Sequence, residues 1–272
     1  MPSPVPMPRS VSRQHARVLS HAAVNAEYRH LVLGTDAAAA AARPGQFFQL
    51  LCPAPPGEAP FLRRPMSLYA ADPKAGTVAF LYKVAGAGTR GLAMLREGEA
   101  LDMLGPLGHG FRLDPSWRHV VAVGRGVGLA TLGPLARMAT AQGVGVTALL
   151  SARSPELMLS DALFRRHGAE VLAVHDHDGT SDPAKVEAVL RGLVAAGRCD
   201  ALFTCGSARL LRLLQRLARE FGLPGQVALE QQMACGLGMC FCCVRDFVVD
   251  GRTEHRRVCW DGPVFDLLEA VA

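Results

Sequence analysis

Five cysteines fall within 25 residues toward the C-terminal end of this chain: Cys235, Cys240, Cys242, Cys243 and Cys259. Their spacing is Cys235-x4-Cys240-x2-Cys243, then fifteen residues to Cys259. An opening C-x4-C-x2-C is the plant-type spacing of thiolates that hold a 2Fe–2S cluster. Gly236 and Gly238 lie inside the first loop, where they allow positive φ and leave room for N–H groups to point at sulfur. The rival chemistry is structural zinc, which prefers two C-x2-C pairs on separate knuckles. Only Cys240-x2-Cys243 makes such a pair. Cys242 is a conceivable substitute ligand, although its side chain should point away from that of Cys243. Cys52, Cys199 and Cys205 read as small buried apolar residues.

The rest of the chain bounds what this cluster could serve. At 272 residues, half of them apolar and 19% charged, it can build two packed domains. A chain with such cores needs no disulfide staples, so clustered thiols point to metal and to the cytoplasm. The formal charge is +5, from 29 basic and 24 acidic residues, with no basic run of five. Nucleic acid and polyanionic surfaces are therefore not expected partners. No stretch of about 18 uncharged apolar residues exists to cross a membrane. Residues 1–11, with four prolines and no apolar run, are expected as a loose tail and not a secretory signal.

Residues 12–113 carry short apolar or alternating runs (Arg17–Leu19, His30–Leu33, Gln46–Leu51, Met66–Tyr69, Val78–Val84, Ala100–Leu104) separated by Pro, Gly and Asp. Six strands at this spacing predict a small barrel or sandwich, with one helix near Gly88–Arg96 and Ala37–Ala42 as a loop. From 114 to 229 buried strands alternate with helices, beginning at His119–Val123, which predicts a parallel sheet covered by helices. Residues 230–272 form a third, Cys-rich segment. There Asp250-Gly251 sits between Phe247–Val249 and Thr253–Arg257 as a two-residue hairpin signal that would fold Cys259 back toward the first three cysteines.

The run Leu229-Glu230-Gln231-Gln232-Met233-Ala234-Cys235-Gly236-Leu237-Gly238-Met239-Cys240, with Cys243 and then Cys259-Trp260-Asp261-Gly262-Pro263-Val264-Phe265, closely resembles the electron-transfer subunits of dihydroorotate dehydrogenase B. These are iron–sulfur flavoproteins of the ferredoxin-reductase-like family, and the resemblance covers nearly the whole chain after the tail. It implies an FAD-binding β-barrel over 12–113, an NAD(P)-binding α/β domain over 114–229 and a 2Fe–2S subdomain over 230–272. Cys235, Cys240, Cys243 and Cys259 would be the cluster ligands. It also implies a separate FMN-containing catalytic partner that oxidises dihydroorotate in pyrimidine biosynthesis.

Within the first segment, Arg64-Pro65-Met66-Ser67 matches the flavin motif Arg-Pro-x-Ser/Thr of that family. The arginine can grip a pyrophosphate bidentately, and Ser67 can bond the polar edge of the ring system. Tyr82-Lys83-Val84 and Gly86-Ala87-Gly88-Thr89 resemble its second flavin segment, where a glycine turn leads into a short helix. Gly124, Gly126 and Gly128 follow the first buried strand and open a helix, the place where a dinucleotide pyrophosphate is received. That loop departs from the family. Arg125 replaces the middle glycine, Thr131 stands where a proline is expected, and Cys205-Gly206-Ser207 replaces Cys-Gly-Pro. NADH is the expected hydride donor, and Arg153 and Ser154 are candidates for the adenosine ribose or its 2′-phosphate. His175 and His177 read as solvated, and Arg209, Arg212, Arg216 and Arg219 as the wet face of a helix.

The chain is thus expected to pass electrons from NADH through FAD and a 2Fe–2S cluster to a catalytic flavoprotein, with no acid–base pair or nucleophile of its own. The alternatives are a paralogous reductase serving another oxidoreductase or a ferredoxin, and a zinc-stabilised module without catalysis.

Overall fold

Residues 11–272 are described by the structure, a computed structural model. The tail expected over 1–11 lies, apart from Val11, outside the described residues. Seven strands make the first sheet: β1 (Ser12–Ala23), β2 (Tyr28–Gly34), β3 (Phe47–Leu50), β4 (Arg64–Ser67), β5 (Ala70–Asp72), β6 (Thr77–Lys83) and β7 (Ala100–Leu107). They pair antiparallel in the order β4-β3-β7-β1-β2-β6-β5. The two edge strands, β4 and β5, are separated in sequence only by Leu68 and Tyr69, so the sheet must curl until its edges meet. Leu68 N–H donates to the Gln46 carbonyl on the β3 side, and Tyr69 N–H donates to the Ala79 carbonyl of β6, both at 2.9 Å.

Alternation decides which side chains fill this barrel. Leu31, Leu33, Val78, Phe80, Tyr82, Leu101 and Met103 point in and are buried. The rings of Phe48 and Phe80 meet edge-on at 5.5 Å. On β3 the inward residues are Phe48 and Leu50, which leaves Phe47 and Gln49 facing out of the barrel toward the C-terminal third. Two features were not expected from the sequence. β5 is too short to show a period, and Ala37–Ala40 forms a single helical turn (α1) because the Asp36 carboxylate accepts from Ala39 N–H at 2.8 Å. The other helix of this half is α2 (Ala87–Ala93).

The second sheet joins β8 (His119–Arg125), β9 (Gly145–Ala152), β10 (Glu170–His175), β11 (Ala201–Cys205) and β12 (Gly225–Ala228), all parallel, in the order β10-β9-β8-β11-β12. Helices α3 (Gly128–Ala141), α4 (Asp161–Arg166), α5 (Pro183–Ala195) and α6 (Ala208–Phe221) cover it. Val120–Val123 are wholly buried, as the unbroken apolar run predicts for a strand covered on both faces. Strand order reverses between β8 and β11, so their C-terminal ends open the crevice where such sheets bind ligands.

Beyond the cysteine loop, β13 (Val244–Val249) and β14 (Arg252–Arg257) form the predicted hairpin. Asp250 and Gly251 have φ of 49° and 76°, as a type I′ turn requires. The chain then returns through β15 (Val264–Asp266), which adds antiparallel to β12. Residues 230–272, expected as a subdomain of their own, therefore share their last strand with the sheet over 114–229. Phe247 of the hairpin packs on Phe265 of that strand at 4.4 Å.

Candidate functional site

The cysteine loop is held as two thiol pairs. Cys243 and Cys259 are buried, with Cys259 N–H donating to Cys243 Sγ at 3.4 Å. Cys235 and Cys240 make the outer pair, half-buried and exposed respectively, with the Cys240 side chain close enough to Cys235 to ease its ionisation. Both glycines of the loop take positive φ, 72° at Gly236 and 77° at Gly238. Leu237 N–H donates to Cys235 Sγ and Gly238 N–H to Cys259 Sγ, each at 3.3 Å. A Cβ at Gly238 would come within 2.8 Å of the Trp260 ring. Burial opposes ionisation of Cys235, but the N–H groups of Leu237, Cys240 and Met239 together with the Cys240 side chain pull it down to about 7. Burial, reinforced by Cys243, pushes Cys259 up to about 12. Among the described residues no three or more His, Cys, Asp or Glu side chains form a group for a single metal ion. A donor set of four thiols in two pairs, with amides aimed at sulfur, fits a two-iron cluster whose irons take two thiolates each. Cys242, the conceivable substitute, is exposed with Sγ turned 3.9 Å from the Gln232 carbonyl.

A cavity of about 770 Å³ opens between the barrel, α3 and the chain leaving β12. That is within the usual range for a cofactor pocket. Arg64, Pro65, Met66, Ser67, Tyr82 and Lys83 line it from the barrel; Val127, Ala130, Glu230, Gln231, Gln232 and Met233 line it from the other side. Three of the expected flavin residues stand behind the wall instead. Val84 backs the barrel core. A Cβ at Gly88 would meet Arg64 Nε at 2.8 Å, so the missing side chain gives the arginine its place. Thr89 Oγ1 accepts from Ala85 and Gly86 N–H at 2.9 and 3.0 Å and so ties down the start of α2.

At the strand-order reversal lies a second cleft of about 250 Å³, bordered by Glu27, Lys83, Arg125, Gly126, Val127, Arg153, Gly206 and Glu230. Of the three expected glycines Gly126 borders it, while Gly124 and Gly128 lie behind it, between α3 and the sheet. A Cβ at Gly124 would strike Leu132 at 2.7 Å and one at Gly128 the Cys205 carbonyl at 2.4 Å, so both glycines let α3 close on the sheet. Gly126 carries the positive φ of the loop, 55°. Arg125 is therefore not at the position that demands glycine. Its side chain runs away from the loop to Ser151 Oγ at 2.8 Å and pairs with Asp176. No side chain caps α3, whose Leu129 and Ala130 N–H groups turn back to the carbonyls of Gly126 and Val127 at 3.1 and 2.9 Å. Thr131, in the place of the family's proline, is buried, as is the Cys205 thiol. Ser207 caps α6 through Leu210 N–H. Arg153 is paired across the seam between the halves with Glu27, which also holds Lys83 at 2.8 Å.

Sequence reasoning gave no role to Glu230, which lines both cavities. Its carboxyl faces open cleft but is ringed by protein, and that desolvation alone raises its pKa above the ordinary carboxylate value. Met233 and Phe47 are two further site residues without an expected role. Both line the larger cavity and both pack in the same apolar core as Cys243 and Cys259. Glu230 and Met233 stand in the quoted Cys-rich motif, whereas Phe47 looks like any strand aromatic.

Comparison with known proteins places these features in a family. Residues 230–270 match the model of the iron–sulfur cluster binding domain of dihydroorotate dehydrogenase B. The dihydroorotate dehydrogenase B (NAD(+)) electron transfer subunit of Geobacillus thermodenitrificans is 34% identical over 266 residues, covering 96% of this chain and 99% of its own. The subunit of the same name from Bacillus caldolyticus is 36% identical over 233 residues, 84% of this chain and 87% of its own. Among solved structures, the NADH-dependent reduced ferredoxin–NADP oxidoreductase studied for flavin-based electron bifurcation superposes with a TM-score of 0.78 at 26% identity, over 93% of this chain and 88% of that one. The ferredoxin reductase of carbazole 1,9a-dioxygenase shares the fold, with a TM-score of 0.63 at 21% identity over 78% of this chain and 67% of that one. The barrel, the crevice sheet and the paired thiols are thus those of a ferredoxin-reductase-like flavoprotein, and this chain belongs to the family of dihydroorotate dehydrogenase B electron transfer subunits.

Proposed function

We propose that this chain takes electrons from NADH and hands them, through FAD and a 2Fe–2S cluster, to the FMN-containing catalytic subunit of a dihydroorotate dehydrogenase in pyrimidine biosynthesis. One observation carries this reading: the three sites are continuous. The small cleft and the larger cavity share Lys83, Val127 and Glu230, and the larger cavity shares Phe47 and Met233 with the core around Cys243 and Cys259.

When bound, the flavin supplies the exchange between a two-electron hydride donor and a cluster that takes one electron at a time. The chain's own residues place and insulate. Residues 12–113 hold FAD, with Arg64 and Lys83 facing its phosphates and polar edge and Pro65, Met66, Ser67 and Tyr82 forming the wall. Val84, Gly88 and Thr89 serve it from behind, by shaping the turn into α2. Residues 114–229 hold the nicotinamide nucleotide, its pyrophosphate at the start of α3 beside Gly124, Gly126 and Gly128. Glu27, already bound to Arg153, leaves a 2′-phosphate without a free cation at that wall and favours NAD over NADP. Residues 230–272 hold the cluster by Cys235, Cys240, Cys243 and Cys259. Around the exposed Cys240, the side chains of Met239, Phe241, Leu237 and Trp260 stand open to solvent. That apolar rim is the docking face for the catalytic subunit. All eight cysteines are free thiols. Ligand thiols stay reduced in a cytoplasmic setting, which is where the protein works.

Anaerobic titration tests the route. Protein with about two iron and two sulfide per chain should bleach in the visible with NADH and transfer electrons to a co-expressed catalytic subunit. Iron-free protein carrying one zinc, or a flavin that NADH fails to bleach, would refute it.

A further inference from the structure

Gln49, on β3, is wholly buried, and neither Oε1 nor Nε2 has a hydrogen-bond partner. A buried amide with nothing to bond is costly, so each native instance asks for a reason. Its surroundings give one. Phe48 and Leu50 point into the barrel, so Gln49 points outward, and it rests on the loop that begins at Cys235. A Cβ on Gly236 would lie 2.8 Å from Gln49 Cγ and 2.9 Å from Nε2. The amide is thus stacked on the Cα beside the first cysteine, and the glycine leaves its way to the sulfur open. Gln49 does not border the flavin cavity; it stands one outward position along β3 from Phe47, which does.

Thiolates and bridging sulfides accept hydrogen bonds and donate none, so only the N–H end of an amide can serve them. We infer that Gln49 donates from Nε2 to sulfur on the Cys235 side of the cluster, as a positioning residue that raises the cluster's potential. This rests on the cluster assignment proposed above. A donor to sulfur favours the more negative, reduced form, so removing it should make the cluster harder to reduce.

The test uses the full chain with Gln49→Met, which keeps length and loses the amide, and Gln49→Glu, which keeps shape and loses the donor. With iron and sulfide at wild-type content, the reduced-to-oxidised ratio of the cluster at a fixed potential should fall about tenfold in Q49M, equivalent to 59 mV for one electron. It should fall at least as far in Q49E, while the flavin midpoint stays in place. Cluster-free Q49M should melt no lower than cluster-free wild type, because the orphaned amide is gone, yet loaded Q49M should lose iron to a chelator several-fold faster. An unmoved cluster potential, a flavin midpoint that moves instead, or a cluster-free Q49M that melts lower would each overturn the inference. Wild-type chain without iron would sink the cluster assignment itself, a separate result.

Discussion

His21 and Tyr82 close a hydrogen-bonded chain inside the barrel: His21 Nδ1 lies 2.9 Å from the Leu95 carbonyl and Nε2 lies 2.9 Å from Tyr82 Oη. A carbonyl only accepts, so Nδ1 carries the proton of the neutral ring and Nε2 accepts from the phenol. Burial raises the Tyr82 pKa, which keeps that phenol protonated. The motif that marks Tyr82 as a flavin residue is thus served by its ring and backbone, while its hydroxyl belongs to the fold. Tyr82→Phe strands a buried acceptor on His21 and should cost about 1–2 kcal/mol of stability, read by denaturant unfolding. Flavin content and the rate of reduction by NADH should change little.

Arg125 and Asp176 form a second such pair, at the mouth of the nucleotide cleft. Hydrogen bonding to Arg125, and then to Ser181, holds the Asp176 carboxyl at about 2, so it is ionised at every working pH. Arg125→Ala would leave that charge uncompensated where the nucleotide's phosphates are expected. The KM for NADH should rise roughly tenfold, about 1.4 kcal/mol, with flavin reduction by dithionite untouched. Adding Asp176→Asn to the same chain should recover most of the loss. A rise that the double variant leaves in place would show that Arg125 itself grips the phosphate.

Glu230 makes the flavin cavity and the nucleotide cleft sensitive to pH. Its folded-state pKa is raised by desolvation among the cleft walls, so the folded chain holds the proton more tightly than the unfolded one. Stability should therefore fall as pH rises from the unfolded value of 4.5 through the folded value, and the penalty persists above it. Glu230→Gln removes the penalty, so nucleotide-free E230Q should outlast wild type at neutral pH in thermal melts and match it near pH 4. The same substitution should erase one limb of the pH profile for flavin reduction by NADH.

How much of this was legible depends on whether the signal was local. The Asp250-Gly251 turn and the apolar run His119–Val123 each declare their structure within a few residues, and the structure has both. Arg125 misleads because a glycine count cannot tell which loop position takes positive φ; the structure puts it at Gly126. Gln49 and Phe47 carry no local signal at all. Their importance comes from β3 pairing between β4 and β7 with its outer face against a loop almost 190 positions later, as the contact of Gln49 with Gly236 shows. β15 is hidden for the same reason: three residues have no period, and only the pairing with β12 makes them a strand.

Asp102 should govern acid stability. Its carboxylate, almost fully buried, bonds Arg13 and Arg63 at 2.7 and 2.8 Å, and those bonds, Arg13 first, lower its pKa from 3.8 to about 2. The stabilisation is complete above pH 3.8 and is lost as pH falls toward 2. Because Arg13 is largely exposed, solvent screens its share, and the net is on the order of 1–2 kcal/mol. Asp102→Asn should be weaker than wild type by about that amount at pH 7. The gap should narrow between pH 4 and pH 2 in urea titrations.

Cys242 separates a cluster ligand from a bystander. It sits between two residues of the proposed ligand loop, yet its Sγ faces the Gln232 carbonyl across 3.9 Å, while neighbouring Cys243 turns inward to Cys259. Phe241 ahead of it takes φ 57°, a left-handed step that reverses the chain and sets the two adjacent thiols on opposite sides. Cys242→Ser should therefore keep full iron and sulfide content and the low-temperature paramagnetic signal of the dithionite-reduced cluster. Cys243→Ser or Cys259→Ser should lose both, because each removes a thiol from the buried pair and oxygen is a poorer partner for iron in such a site. Iron retained in C259S but lost in C242S would mean that the chain closes its cluster with a different fourth thiolate.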